Sequence, residues 1–264
     1  MKKLIFSILL LASTLLQASD IYVKPGESIA DAIRQARELR RLNDPSIEGG
    51  ITIHVAAGNY RIYEPLFLRP EDSGTPSSPT IIKGEGEVIV SGGVTVTGWK
   101  RQGKLMVADV PDFCGRPLDF RQFYVNGKKA VRARDIADFE DMYRIIRVDK
   151  QKRVLWVPAA AVRKIQKAPY AEMVLHEMWC VANLRIKDIM FAGDSAAVSF
   201  HDPESRIQFE HPWPCPMVTT DGHNSAFYLT NARELLDVPG EWYHDIRAGK
   251  LYYYTTRQIG RAHV

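Results

Sequence analysis

The sequence predicts a mainly β protein: the start of a parallel β-helix with an N-terminal capping helix, followed by an inserted β-rich module. Three observations carry this. Short apolar runs are broken every few residues by Gly and Pro, one amphipathic helical segment precedes them, and longer aromatic-rich strands with hairpin signals follow. The predicted organisation is a leader at residues 1–19, the cap and first coils at 20–115, the inserted module at 116–254, and a truncated end at 255–264.

Composition bounds this reading. The 264 residues are 45% hydrophobic and 25% charged, with 18 Gly and 15 Pro, which excludes a disordered chain, a collagen and a multi-span membrane protein. The formal charge is +4, and setting aside Lys2, Lys3 and Arg261 at the chain ends leaves +1. A nucleic-acid-binding protein normally carries a clustered basic excess, so no nucleic acid is expected as partner.

The leader has a basic start at Lys2 and Lys3, an apolar run from Leu4 to Leu16, and the small-residue exit Gln17-Ala18-Ser19. That is the pattern of a secretory signal peptide, with a cut after Ala18 or Ser19. A membrane anchor needs about 20 apolar residues. The expected location is therefore periplasmic, cell-surface or extracellular, with no membrane span in the mature chain. Cys114, Cys180 and Cys215 have none of the spacings of a metal knuckle or a disulfide framework, and are read as buried single thiols.

Ile21-Tyr22-Val23 reads as a short strand. A helix is expected from Ser28 to Arg41, with Ser28 and Asp31 forming a capping-box-like start. Its apolar face is Ile29, Ala32, Ile33, Ala36 and Leu39, while Arg34, Arg37, Glu38 and Arg41 lie opposite. From Ile51 to Gly98 the expected strands are Ile51–Val55, Leu66–Leu68, Ile81–Ile82, Val88–Val90 and Val94–Val96. Runs this short suit a coil that turns a corner after each strand, and an amphipathic helix ahead of the first coil would cover its open end. A β-sandwich is the alternative for the same pattern.

The inserted module has longer strands. Asn126-Gly127 between Tyr124-Val125 and Ala130-Val131 is a strong two-residue hairpin signal. Further hairpins are expected between 143–148 and 153–157, and between 241–245 and 251–254, with one helix of about six to eight residues around 231–236, ended by Val238-Pro239-Gly240. At the far end, Ile259-Gly260-Arg261-Ala262-His263-Val264 is the translation of ATC GGA AGA GCA CAC GTC, the start of a common sequencing adapter. Residues 259–264 are therefore expected to be an artefact, with the natural polypeptide running on past Gln258.

Several segments resemble known proteins. Gly58-Asn59-Tyr60-Arg61, Asp72-Ser73-Gly74-Thr75 and Val90-Ser91-Gly92-Gly93 resemble the opening of secreted bacterial right-handed β-helix proteins of the pectin lyase-like type. Phe123–Gly127, Arg132-Ala133-Arg134, Leu184-Arg185-Ile186, the run from Ala226 to Asn231, and above all Pro239-Gly240-Glu241-Trp242-Tyr243 resemble the insertion domain of glycoside hydrolase family 141. The resemblance implies a hydrolase acting on plant or host polysaccharide, of fucoside or xylan type. It also implies that the catalytic carboxylates lie on later coils, so that this portion is inactive alone. A β-helix polysaccharide lyase and a non-catalytic glycan-binding surface protein remain alternatives.

No residue is assigned as catalytic, cofactor-binding or metal-binding. Glycosidic cleavage needs two carboxyl groups facing one another across a sugar, and Glu177, Asp188, Asp194, Asp202 and Glu204 show no pairing in their spacing. Glu177 is the most interesting of them, beside Trp179 on an expected strand. His201, Asp202 and His211 lack the spacing of a zinc site, no Asp-rich loop suits calcium, and no Gly-x-Ser-x-Gly elbow is present. Trp156, Trp179, Trp213, Trp242 and Tyr252–Tyr254 have faces fit for sugar rings, but in a β-rich module such residues more often form the core. Strand alternation puts Tyr252 and Tyr254 on one face and Tyr253 on the other.

Overall fold

The computed structural model describes residues 18–113, 115–255 and 262–264. The expected leader up to Gln17, Cys114, and residues 256–261, which include the first half of the adapter-like tail, lie outside these. The fold is mainly β, and the chain divides into two compact units, one ending at Gly93 and the other beginning at Val94. Among the described residues no helix is long and apolar enough to cross a membrane.

The first unit holds β1 (Ser19–Val23), α1 (Ile29–Arg41), β2 (Ile51–Arg61) and β3 (Thr80–Ser91). The three strands form one parallel sheet in the order β1-β2-β3. Its register stacks like on like: Ile21, Ile53 and Ile82 fall in one row, and Val23 and Val55 in another. Ile21, Val23, Ile51, Ile53 and Val55 are buried under Ile29, Ala32, Ile33 and Ala36 of α1, the apolar face that the periodicity predicts. Ser28 caps the helix by accepting a hydrogen bond from the Asp31 N–H at 3.2 Å.

The expected short strands are revised here. Ile81–Ile82 and Val88–Val90 belong to the single strand β3, because Gly84 stays paired with Val55 and, after an irregularity at Gly86 (φ +87) and Glu87, pairing with β2 resumes at Val88. Leu66–Leu68 is not a strand; Phe67 and Leu68 are exposed in the β2–β3 connection. That connection is held by the helix. The Arg37 guanidinium donates to both Asp72 oxygens at 2.7 Å and to the Phe67 carbonyl, and Arg40 donates to Ser78 and Thr80. At the start of β2, Gly50 has φ +109, and a Cβ there would lie 2.7 Å from the Pro79 carbonyl oxygen, so only glycine fits.

The second unit is built from antiparallel strands with one parallel pair. In chain order they are β4 (Lys100–Gln102), β5 (Leu105–Asp109), β6 (Asp112–Phe113), β7 (Arg116–Pro117), β8 (Tyr124–Val125), β9 (Lys128–Lys129), β10 (Val131–Arg132), β11 (Tyr143–Arg144), β12 (Arg147–Asp149) and β13 (Val154–Pro158). After α2 (Ala159–Val162) come β14 (Glu172–His176), β15 (Val181–Ala192), β16 (Ser195–Phe200), α3 (Glu204–Glu210), β17 (Ala226–Thr230), β18 (Glu241–Asp245), β19 (Lys250–Tyr254) and β20 (Ala262–His263).

A seven-stranded sheet has the order β11-β17-β14-β15-β16-β13-β12, and a five-stranded sheet the order β10-β18-β19-β5-β4. One face of the larger sheet packs Leu155, Val157, Met173, Leu175, Leu184, Val198, Phe227 and Leu229 against residues of α2, α3 and the turn at Leu235. The hairpin β18–β19 serves two cores. Tyr243 and Tyr252 face this one, while Trp242, Leu251 and Tyr253 join Val96, Ala108 and Phe123 in another. The alternation expected for Tyr252 and Tyr253 follows from that double burial.

All three expected hairpins are present, the second in shortened form: Arg147–Asp149 pairs with β13, while Tyr143–Arg144 pairs with β17 instead. Asn126 and Gly127 both have positive φ, +52 and +74, which suits a right-twisting two-residue turn. The helix expected around 231–236 is only a single 3-10 turn, Arg233–Leu235, since Asn231 at φ +56 and Val238-Pro239-Gly240 confine it on both sides. The α-helices lie instead at α2 and α3, where short Ala-rich and Glu-led segments cover the large sheet.

Candidate functional site

The larger sheet has a second face, and strand alternation decides what it carries. With Met173 and Leu175 turned to the core, Glu172, Val174 and His176 of β14 point the other way. The register places their neighbours in three rows: Arg185–Glu172–Thr230, Asn183–Val174–Tyr228, and Val181–His176–Ala226. Arg144 extends the last row through its pairing with Ala226, and Arg134 bridges to Thr230. This face is polar, cationic and aromatic, unlike its hydrophobic reverse.

A cavity of about 400 Å³ opens on the first two rows and is lined by Arg121, Lys129, Arg132, Arg134, Asn183 and Tyr228 among others. Behind two of these lining residues, Arg121 and Arg132, Glu172 is 4% exposed. The Arg132 guanidinium donates to its two oxygens at 2.8 and 3.2 Å, and Arg121 donates to one of them. Arg132 also lies over the Trp242 ring at 5.5 Å, and burial pulls its guanidinium below the usual range while Glu172 opposes that shift. The Arg134 guanidinium lies 5.9 Å from the centre of the Tyr228 ring.

Further along the same face, His176 sits between Phe139 and Tyr228, with Arg144 over Phe139. Burial, with the Arg144 cation, lowers the His176 pKa and favours the neutral imidazole. The strand then ends in the turn Glu177–Cys180. Burial raises the pKa of the Glu177 carboxyl, and it accepts a hydrogen bond from the Cys180 thiol at 2.9 Å; that thiol is itself pushed up to about 11, by burial first and by Glu177 second. Trp179 projects from this turn at 76% exposure.

The other carboxyl groups weighed from the sequence do not gather around Glu177. Asp188 is exposed on β15, and Asp194 is exposed in the turn before β16. Asp202 lies 3.9 Å from Arg153, and Glu204 is held by the Arg185 guanidinium, which lowers its pKa. His201 and His211 are both exposed and flank α3. Among the described residues no three His, Cys, Asp or Glu side chains are gathered for a metal ion.

The tryptophans divide by burial. Trp242 is fully buried and Trp156 is half-buried under the Arg147 guanidinium at 4.6 Å, so both are packing residues; Trp179 and Trp213 keep exposed faces. Cys180 and Cys215 are free, half-buried thiols, which corrects the reading of full burial.

Glu241, in the Pro-Gly-Glu-Trp-Tyr run, is structural. Its buried carboxylate accepts from the N–H groups of Val238 and Asp237 and, at 3.4 Å, from that of Arg134. It thus pins the loop before β18 to the segment that lines the cavity. Sequence reasoning missed Arg121, Arg132, Arg134, His176 and Tyr228 as a group. The available signal was Arg132-Ala133-Arg134, two cations around a residue of 0% exposure, on a segment already singled out by resemblance.

The family described as GH141 insertion domain matches residues 103–256. A solved structure named "Glycoside hydrolase" is 58% identical, superposes with a TM-score of 0.84, and is matched over 93% of this chain and 46% of that one. This chain therefore spans about half the length of that protein. No curated protein matches.

Proposed function

Because the chain belongs to the GH141 insertion-domain family, we propose that it is the N-terminal portion of an exported glycoside hydrolase that acts on plant or host polysaccharide, of fucoside or xylan type. The observation that carries this is the 58% identity to a glycoside hydrolase over 93% of the chain. In this reading the inserted module, drawn at 116–254 from the sequence, lies within the matched range 103–256. The catalytic carboxyl pair is supplied by other parts of the protein, because Glu177, Asp188, Asp194, Asp202 and Glu204 are each engaged or exposed separately.

The reading includes a right-handed parallel β-helix that begins in the first unit. The in-register parallel ladder β1-β2-β3, with its Ile21–Ile53–Ile82 row and α1 over the first strands, supports it. So does the exposure of β3: Ile81, Ile82, Ile89 and Val90 are each more than 40% exposed, as a strand awaiting the next coil would be. Export rests on the leader; a cut after Ala18 leaves β1 whole.

Glu177 and Trp179 are the residues of the module assigned to sugar contact, an exposed indole face beside a carboxyl of raised pKa. The test is made in the full-length similar protein, assayed for sugar release from fucosylated glycans and xylan. Glu177→Gln and Trp179→Ala are expected to raise KM several-fold with kcat little changed. Unchanged KM in both removes the module from substrate binding, and no sugar release by the parent protein removes the hydrolase reading.

A further inference from the structure

The cavity over Glu172 has an unbalanced charge. Four cationic side chains, Arg121, Lys129, Arg132 and Arg134, line it. Against them stand the buried Glu172 carboxylate, which Arg121 and Arg132 share, and the exposed Asp119, whose charge reaches Arg132 and His244. Among the described residues neither Lys129 nor the Arg134 guanidinium is in an ion pair, and Arg134 rests on the Tyr228 ring. Lys129 and Arg134 thus line the same cavity as Tyr228 and Asn183 without a carboxylate partner, beside Arg121 and Arg132, which Glu172 holds, a lining suited to an anion.

The volume, about 400 Å³, falls within the roughly 300–1,000 Å³ of small-ligand sites. The cations converge on one recess instead of forming a stripe, which disfavours a long polyanion such as nucleic acid. A planar carboxylate matches the guanidinium fork, and the C–H face of a pyranose matches an aromatic ring.

We propose that this cavity binds the carboxylate of a uronic acid residue in a glycan, with Arg134 and Lys129 as the charged contacts and Tyr228, whose ring Arg134 overlies, lining the space for the sugar. Glu172 positions Arg132 and Arg121 behind them. This inference rests on the reading that the protein handles a polysaccharide, and it narrows the substrate to glycans bearing acidic sugars.

The test titrates the 264-residue chain, at fixed ionic strength, with trigalacturonate, a glucuronic-acid-substituted xylo-oligosaccharide, the unsubstituted xylo-oligosaccharide of equal length, and sodium sulfate. The acidic sugars are expected to bind about tenfold or more tighter than the neutral one, the scale of one charge-assisted hydrogen bond. Arg134→Gln and Lys129→Gln should each remove most of that preference. The exposed Lys129 position keeps the test valid if Arg134→Gln disturbs folding, which thermal melts would reveal. Equal affinity for acidic and neutral sugars overturns the inference and leaves the hydrolase reading intact. Sulfate competing as well as the uronates reduces the cavity to a general anion site and overturns it, as does the absence of binding by any probe. Tight binding of the uronates combined with no sugar release by the parent protein supports the inference and defeats the hydrolase reading.

Discussion

Glu172 shows how one side chain organises the candidate site. It occupies a strand position that alternation turns away from the hydrophobic core, and it is buried because Arg121 and Arg132 close over it. A buried ion pair adds little net stability when intact, but removing one partner leaves an uncompensated charge. Glu172→Gln is therefore expected to destabilise the protein by about 3 kcal/mol, read as a shift in the urea midpoint. Arg132→Met together with Glu172→Gln should recover part of that loss. If the single variant is as stable as the wild type, Glu172 does not organise the cavity wall. Nothing in the local sequence around Glu172 marks it, since its partners come from residues 40 and 51 positions away.

At the scale of the element, the helix α1 was legible in detail. The Ser28 cap, the apolar stripe and the bounds follow from local sequence, because a helix satisfies its own backbone. The two-residue turn at Asn126-Gly127 was legible for a similar reason, as both positions need positive φ. What the helix does with its polar face was not legible. Arg37 there serves as a clamp: with the Arg69 N–H it holds the Asp72 carboxylate, and this hydrogen bonding, Arg37 first, lowers the Asp72 pKa from its ordinary value of 3.8. A carboxylate with a lowered folded-state pKa contributes stability that is present above its unfolded value and lost as pH falls through the folded one. Asp72→Asn is thus expected to melt several degrees below the wild type at pH 7, with the gap closing below about pH 4. A gap that stays constant down to pH 2 would mean that the clamp acts by packing and not by charge.

For the whole molecule, the decisive feature is the free edge of β3. Among the described residues no strand pairs beyond it, exposed Ile82 continues the buried row of Ile21 and Ile53, and exposed Val90 lies beside buried Tyr60. An exposed apolar edge is a template for another strand. The 264-residue chain is therefore expected to self-associate with rising concentration in sedimentation experiments, and Ile82→Lys should suppress this. A strictly monomeric wild type across the micromolar range would show that the edge is protected. In the proposed intact hydrolase the same edge takes the following coil.

The sequence by itself determined the β class, the capping helix, the three hairpins, the facing of Tyr252 and Tyr253, and the family resemblance that the domain match at residues 103–256 bears out. These depend on periodicity, on turns requiring particular φ values, or on short specific runs. Tertiary structure alone decided the rest. It joined Ile81–Ile82 and Val88–Val90 into one strand, because pairing with β2 resumes at Val88 after the irregularity at Gly86 and Glu87. It reduced the segment at 231–236 to a single turn confined between Asn231 and Pro239. It brought Arg121, Arg132, Arg134, Glu172 and Tyr228 to one sheet face, since that face is assembled by register between strands distant in sequence, and only the folded register can say which side chains become neighbours.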